Sequence, residues 1–204
     1  MTRALNALYA LIWLVGACSA SSADGDGSRQ PGVADDPQLL AAGEPCRPRS
    51  ATEFLQSFVV AMNEGDAVAQ EQILAPDEPF YWYSSTQGRQ HFVARTVPKA
   101  IALLDERHDQ GERKVLRAVS IERDRKHKIA GAAILLTIRA DDLNATRSFG
   151  RVAEGKVAIH CERGDLVAWS VGTLAKNTDL RPKVKSFCPA DKRIEVGRAV
   201  ACWQ

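Results

Sequence analysis

The chain has no apolar run long enough to cross a bilayer as a helix, which takes about 20 residues; its mainly apolar segment near the start, residues 4–17, has 14. Charge of one sign is also missing. Lys and Arg number 27 against 25 Asp and Glu, a formal net charge of +2 over 204 residues, so the basic excess of a nucleic-acid binder is absent. The four histidines, His91, His108, His127 and His160, are far apart and form no H-x-x-x-H pair, so no metal set is expected. There is neither a glycine-rich phosphate loop nor a G-x-S-x-G elbow, and no cofactor is expected. What remains, at 45% hydrophobic residues, suffices for one domain of ordinary size.

The five cysteines are the most informative residues present. Cys46, Cys161, Cys188 and Cys202 are an even set suited to an oxidising compartment, and two disulfides are expected among them. Three connectivities are open. Cys188 with Cys202, leaving Cys46 with Cys161, is preferred because residues 176–204 carry little apolar material of their own and a short loop would pin them. The fifth, Cys18, ends the segment LIWLVGAC, and Arg3 followed by residues 4–17 has the form of a cleaved secretory signal. Val15-Gly16-Ala17-Cys18 resembles the lipobox of bacterial lipoproteins. That resemblance implies a diacylglycerol on the Cys18 sulfur, cleavage just before it and acylation, palmitate included, of the new amino terminus. Two or three chains anchor stably where one is marginal. Ser19 in place of Asp implies the outer membrane of a two-membrane bacterium. The membrane is thus an expected partner and the cell envelope the expected location.

From residue 19 to about 44 the composition is Ser, Ala, Gly, Asp and Pro, too polar to order itself. It reads as a tether with an r.m.s. reach of about 25–30 Å. The expected organisation is a signal peptide over 1–17, a tether over 18–45, a domain over 46–175 and a cysteine-containing extension over 176–204.

Within the domain, Ser50-Ala51-Thr52-Glu53 reads as a capping box. Phe54, Leu55, Phe58, Val59 and Met62 then repeat at helical spacing until Gly65. Asp66 can cap a second short helix ending before Pro76. PFYWYSS, residues 79–85, predicts a strand. Thr96 and Pro98 open a third helix with Val97, Ala100, Ile101, Leu104 and His108 in one stripe, and Gly111 lies past its end. Residues 115–121 and 129–138 read as strands, and 155–172 as a hairpin turning at Arg163-Gly164. With a two-residue turn, Cys161 would face Leu166 and His160 would face Val167, putting His160 and Trp169 on one face.

The expected fold class is α+β, about three N-terminal helices on one face of a curved antiparallel sheet. This order, with FLQSFVVAMNEGDAVAQEQIL in front, FYWYS next and GDLVAWSVG at the end, resembles the nuclear transport factor 2-like superfamily, which includes polyketide-cyclase-like and ketosteroid-isomerase-like proteins. The resemblance covers roughly residues 50–175 and implies a cone, often with a pocket between sheet and helices; its members are enzymes, small-molecule binders and interaction modules.

The inward stripe of the first helix carries no acid, which argues against catalysis. His108 is the candidate catalytic residue because it continues an apolar stripe, although a last-turn histidine also suits the helix dipole. One face of the aromatic strand, either Tyr81 with Tyr83 or Phe80 with Trp82, must turn inward. A partly open pocket with Tyr81, Tyr83, His108 and Trp169 as ligand-binding residues is expected. The basic run ERDRKHK, residues 122–128, reads as a solvated hairpin tip able to touch an anionic membrane. Three functions remain open: a non-catalytic domain binding a small apolar ligand or an envelope protein, an isomerase or hydrolase using His108 and a tyrosine, and a structural module that forms a homodimer.

Overall fold

In a computed structural model the described residues are 46–76, 79–85, 91–122, 129–141, 148–160 and 163–204. The chain divides into two units, Met1–Ala34 and Asp35–Gln204, and all described residues lie in the second. That unit therefore contains all of the described packing. The signal segment, Cys18, Cys161 and the basic run from residue 123 fall outside the described residues. Among the described residues no helix is long and apolar enough to cross a membrane.

Helix α1 (Pro48–Glu64) begins two residues before the anticipated capping box, with Arg47 at the N-cap and Pro48 in the first turn. Proline is favoured there because its missing N–H is one the helix start leaves unbonded anyway. Ser50 and Glu53 consequently lie inside the helix, and Glu53 pairs with Arg49 at 3.8 Å. The apolar stripe is as expected: Phe54, Leu55, Phe58, Val59 and Met62 are all buried.

The segment Asn63-Glu64-Gly65-Asp66 performs three separate structural tasks. Gly65 takes the left-handed conformation (φ 68°) and ends α1. The Asp66 carboxylate accepts from the Ala69 N–H at 2.9 Å and caps helix α2 (Ala67–Ile73). Asn63 binds the start of strand β3 (Arg113–Ile121) like a strand partner: its Nδ2 donates to the Lys114 carbonyl at 2.8 Å, and its Oδ1 accepts the Lys114 N–H at 2.7 Å. Asn63→Ala leaves both backbone groups short of a partner, with an expected loss of about 2 kcal/mol, read as a shift in the urea unfolding midpoint at unchanged slope.

Strand β1 (Tyr81–Ser85) is followed by β2 (His91–Ala94), which the sequence pattern did not announce, and then by helix α3 (Val97–Asp109). Strands β3, β4 (Ile129–Asp141), β5 (Ser148–His160) and β6 (Asp165–Thr173) form an antiparallel meander. After helix α4 (Leu180–Phe187) come β7 (Ile194–Val196) and β8 (Ala199–Trp203). The eight strands form one sheet in the order β2-β1-β6-β5-β4-β3-β8-β7. The α+β class holds, but the sheet is mixed rather than antiparallel, because β1 runs parallel to β6 and β8 parallel to β3.

Helices α1 to α3 pack with the larger core on one face. Helix α4 lies on the other, so helices cover both. Leu174, Leu180, Val184 and Phe187 pack there against Ala118, Leu135, Val152 and Val200. The last residues do more than the sequence suggested: Val196, Ala199, Val200, Ala201 and Cys202 are buried, and Ala199 joins the larger core. The Gln56 side chain of α1 donates to the Val196 carbonyl at 2.8 Å.

The disulfide Cys188–Cys202 ties the end of α4 to β8, with Cα atoms 5.7 Å apart, as preferred from the sequence. Cys46 is also disulfide-bonded, to a partner outside the described residues.

Candidate functional site

The two faces of β1 decide what the interior can do. Phe80 and Trp82 turn inward, 5% and 1% exposed, and the tyrosines turn away. Trp82 sits beside Trp169 in the parallel β1–β6 pair, and their rings stack at 5.1 Å with planes 7° apart. Phe58 of α1 meets both edge-on, at 6.2 and 5.6 Å. An indole pair with a phenyl edge against it is a favourable aromatic packing, and it lies between α1 and the sheet. Trp169, expected as a ligand-binding residue, is 2% exposed and packs within the larger core.

The tyrosines occupy the opposite face at the β1–β2 edge, half-buried. The Tyr83 hydroxyl bonds His91 Nδ1 at 2.8 Å and the two rings stack. The guanidinium of Arg95 lies over the Tyr81 ring, 4.6 Å from its centre, a cation–π contact. A tyrosine–histidine pair thus exists, but it involves His91, which the sequence reading passed over, and it is exposed on the surface. The signal that could have found it is the i, i+8 spacing of a short hairpin, which places the two residues on adjacent strands.

His108 lies in the last turn of α3, half-buried, with Nδ1 3.7 Å from the Asp109 carboxylate. Its ring covers Gly65: a Cβ on that glycine would lie 2.9 Å from His108 Nδ1. The α3 face turned inward is Val97, Ala100, Leu103 and Leu104, with Ile101 only partly buried. The stripe therefore turns away from His108 before the helix ends, and the imidazole serves as a cover on the αL turn between α1 and α2.

His160 also moves relative to expectation. It pairs across the hairpin with Asp165, not Val167, and an irregularity follows, with Ile159 opposite Leu166 but Ala158 opposite Ala168. Trp169 then lies opposite Val157 on the inner face. A one-residue change of register exchanges the faces, which separates His160 from Trp169. His160 is 8% exposed with Nδ1 unbonded among the described residues.

One charged cluster is nearly buried. Glu112 is flanked by Lys114 and by Arg107, whose Nη1 lies 3.4 Å away. The acid is matched by cations on both sides, so the cluster ties α3 to β3. Among the described residues no group of three or more His, Cys, Asp or Glu stands close enough to hold a metal ion.

No protein-family model and no curated protein matches the chain. Solved structures do. A protein named as a calcium/calmodulin dependent protein kinase II association domain, from Xanthomonas campestris, aligns at 13% identity over 65% of this chain and 91% of its own, with a TM-score of 0.51. A nuclear transport factor 2-like superfamily protein from Salmonella enterica serovar Typhimurium aligns at 14% identity over 66% and 95%, with a TM-score of 0.49. A protein named as a dehydratase of the same family, from Streptomyces avermitilis, aligns at 11% identity over 61% and 94%, with a TM-score of 0.47. Likeness at this level concerns the fold alone, since one fold hosts many activities. The domain is an α+β domain whose fold is similar to that of the Xanthomonas campestris association domain.

Proposed function

We propose that the chain is a lipid-anchored cell-envelope protein whose domain acts by binding a partner protein on its surface, without catalysis. The observation that supports this reading is the Phe58–Trp82–Trp169 packing, which sets three aromatic rings against one another between α1 and the sheet. The surface supplies a contact region. Tyr81, Tyr83 and Arg95 meet at the β1–β2 edge beside Val93, which is 49% exposed, and tyrosine and arginine dominate the energetics of protein interfaces. Native mass spectrometry of the domain from its own envelope tests the choice. The expected species is the polypeptide, bare or with a second polypeptide, and Tyr81→Ala/Tyr83→Ala abolishes the complex. A stoichiometric small-molecule adduct would overturn it in favour of a ligand-binding cone.

The anchor is supported by Val15-Gly16-Ala17-Cys18 after an uncharged run, and Ser19 supports the outer membrane as its place. Cys18→Ala is expected to accumulate as an uncleaved precursor that takes up no labelled palmitate. Mature-sized protein still in the membrane fraction would refute lipid attachment.

A further inference from the structure

We infer that the sheet face carrying α4 docks on an anionic lipid surface, an inference that rests on the envelope-anchored reading for its choice of a membrane as partner. Charge is unevenly distributed along the chain. Residues 176–198 contain seven basic side chains, Lys176, Arg181, Lys183, Lys185, Lys192, Arg193 and Arg198, against three acidic ones, which leaves the remainder of the chain slightly acidic.

The fold turns this excess outward. Leu180, Val184 and Phe187 hold α4 on the sheet, so Arg181 and Lys185 point to solvent, and Lys192 is exposed just beyond. Of the acids, Asp179 is engaged in capping α4 through the Arg181 N–H at 3.0 Å. Lys183 reaches the Glu154 carboxylate of β5 at 2.7 Å, fixing the helix across the strands. Helix α4 crosses β3 and β4, and β3 adds Arg117, whose Nε donates to Thr137 Oγ1 at 3.0 Å. The disulfide to Cys202 holds the far end of the helix. The result is a net basic surface on the side opposite α1 to α3, with Arg181, Lys185 and Lys192 exposed alongside Asp179, Asp191 and Glu195. Basic side chains gain affinity beside anionic headgroups, and the attraction fades within a Debye length of about 8–10 Å. Only a face laid directly on the membrane therefore benefits, and a protein already held there by an anchor needs no search to reach it.

The test uses the unlipidated unit Asp35–Gln204, sedimented with vesicles of phosphatidylcholine alone or with 30% phosphatidylglycerol. Binding is expected to the anionic vesicles only and to disappear in 0.5 M salt. Arg181→Glu/Lys185→Glu is expected to lower the partition coefficient about tenfold or more. The pair Arg49→Glu/Lys99→Glu, on α1 and α3, makes the same change in net charge and is expected to keep most of the binding. No preference for anionic vesicles, or an equal loss in the two pairs, would overturn the inference. Because this unit lacks Cys18, the outcome is independent of whether the chain carries a lipid.

Discussion

Trp169→Ala destabilises the domain by about 3–5 kcal/mol, the range for truncating a large buried aromatic. The side chain is 2% exposed and contributes one face of the Trp82 stack and the surface against which Phe58 rests. The cavity cannot collapse easily. Strand β6 is hydrogen-bonded on both sides, by β1 and β5, and α1 is held by the Asn63 clamp on β3 and by Gln56 on Val196. Trp169→Phe keeps a ring in the stack and is expected to cost about half as much or less. Equilibrium unfolding in urea measures both. The experiment also judges the interior: a tryptophan lining an open, solvated pocket would cost about 1 kcal/mol or less on truncation, and such a result would restore the ligand-binding cone.

Removing the Cys188–Cys202 bond by Cys188→Ala/Cys202→Ala costs about 3 kcal/mol, from the entropy the unfolded chain regains when a loop of about 15 residues is opened. The native state makes the location of the effect specific. Helix α4 has no fully buried residue, and its apolar side chains are only partly covered. Its grip on the sheet therefore depends heavily on the covalent link. Amide hydrogen exchange is expected to show protection lost first across α4, while β4 and β5 keep theirs. Uniform loss across the sheet would instead mean that the bond supports the whole domain and that α4 is held by its own packing.

Local features were readable because they depend on neighbours in sequence. The stripe of α1 follows from helical spacing, and Gly65 and Asp66 mark a helix end and start by the conformations they accept. The disulfide between Cys188 and Cys202 was legible because a short loop makes close approach easy. At the start of α1 a capping box and a first-turn proline both signal a beginning, and the helix starts at the proline.

The candidate site was much less legible. An alternating strand such as FYWYS states that two faces differ without stating which is inside, and Trp82 turned inward because Trp169 and Phe58 were there to receive it. His108 continues a stripe on paper, yet the ring ends on Gly65, a contact between two helix ends set by how α1 and α3 pack. His160 and Trp169 were separated by a single step of register that only the paired strands determine.

By itself, then, the sequence determined the class of the fold, the helical stripe of α1 and the turns at Gly65 and Asp66, and it favoured Cys188 with Cys202 among three open pairings. The tertiary structure decided the rest. It selected the inward face of β1, inserted β8 beside β3 and laid α4 on the second face of the sheet. The physical reason is that helix periodicity and turn conformations are fixed within a few residues, whereas the choice of a strand's face and neighbour depends on groups distant in sequence.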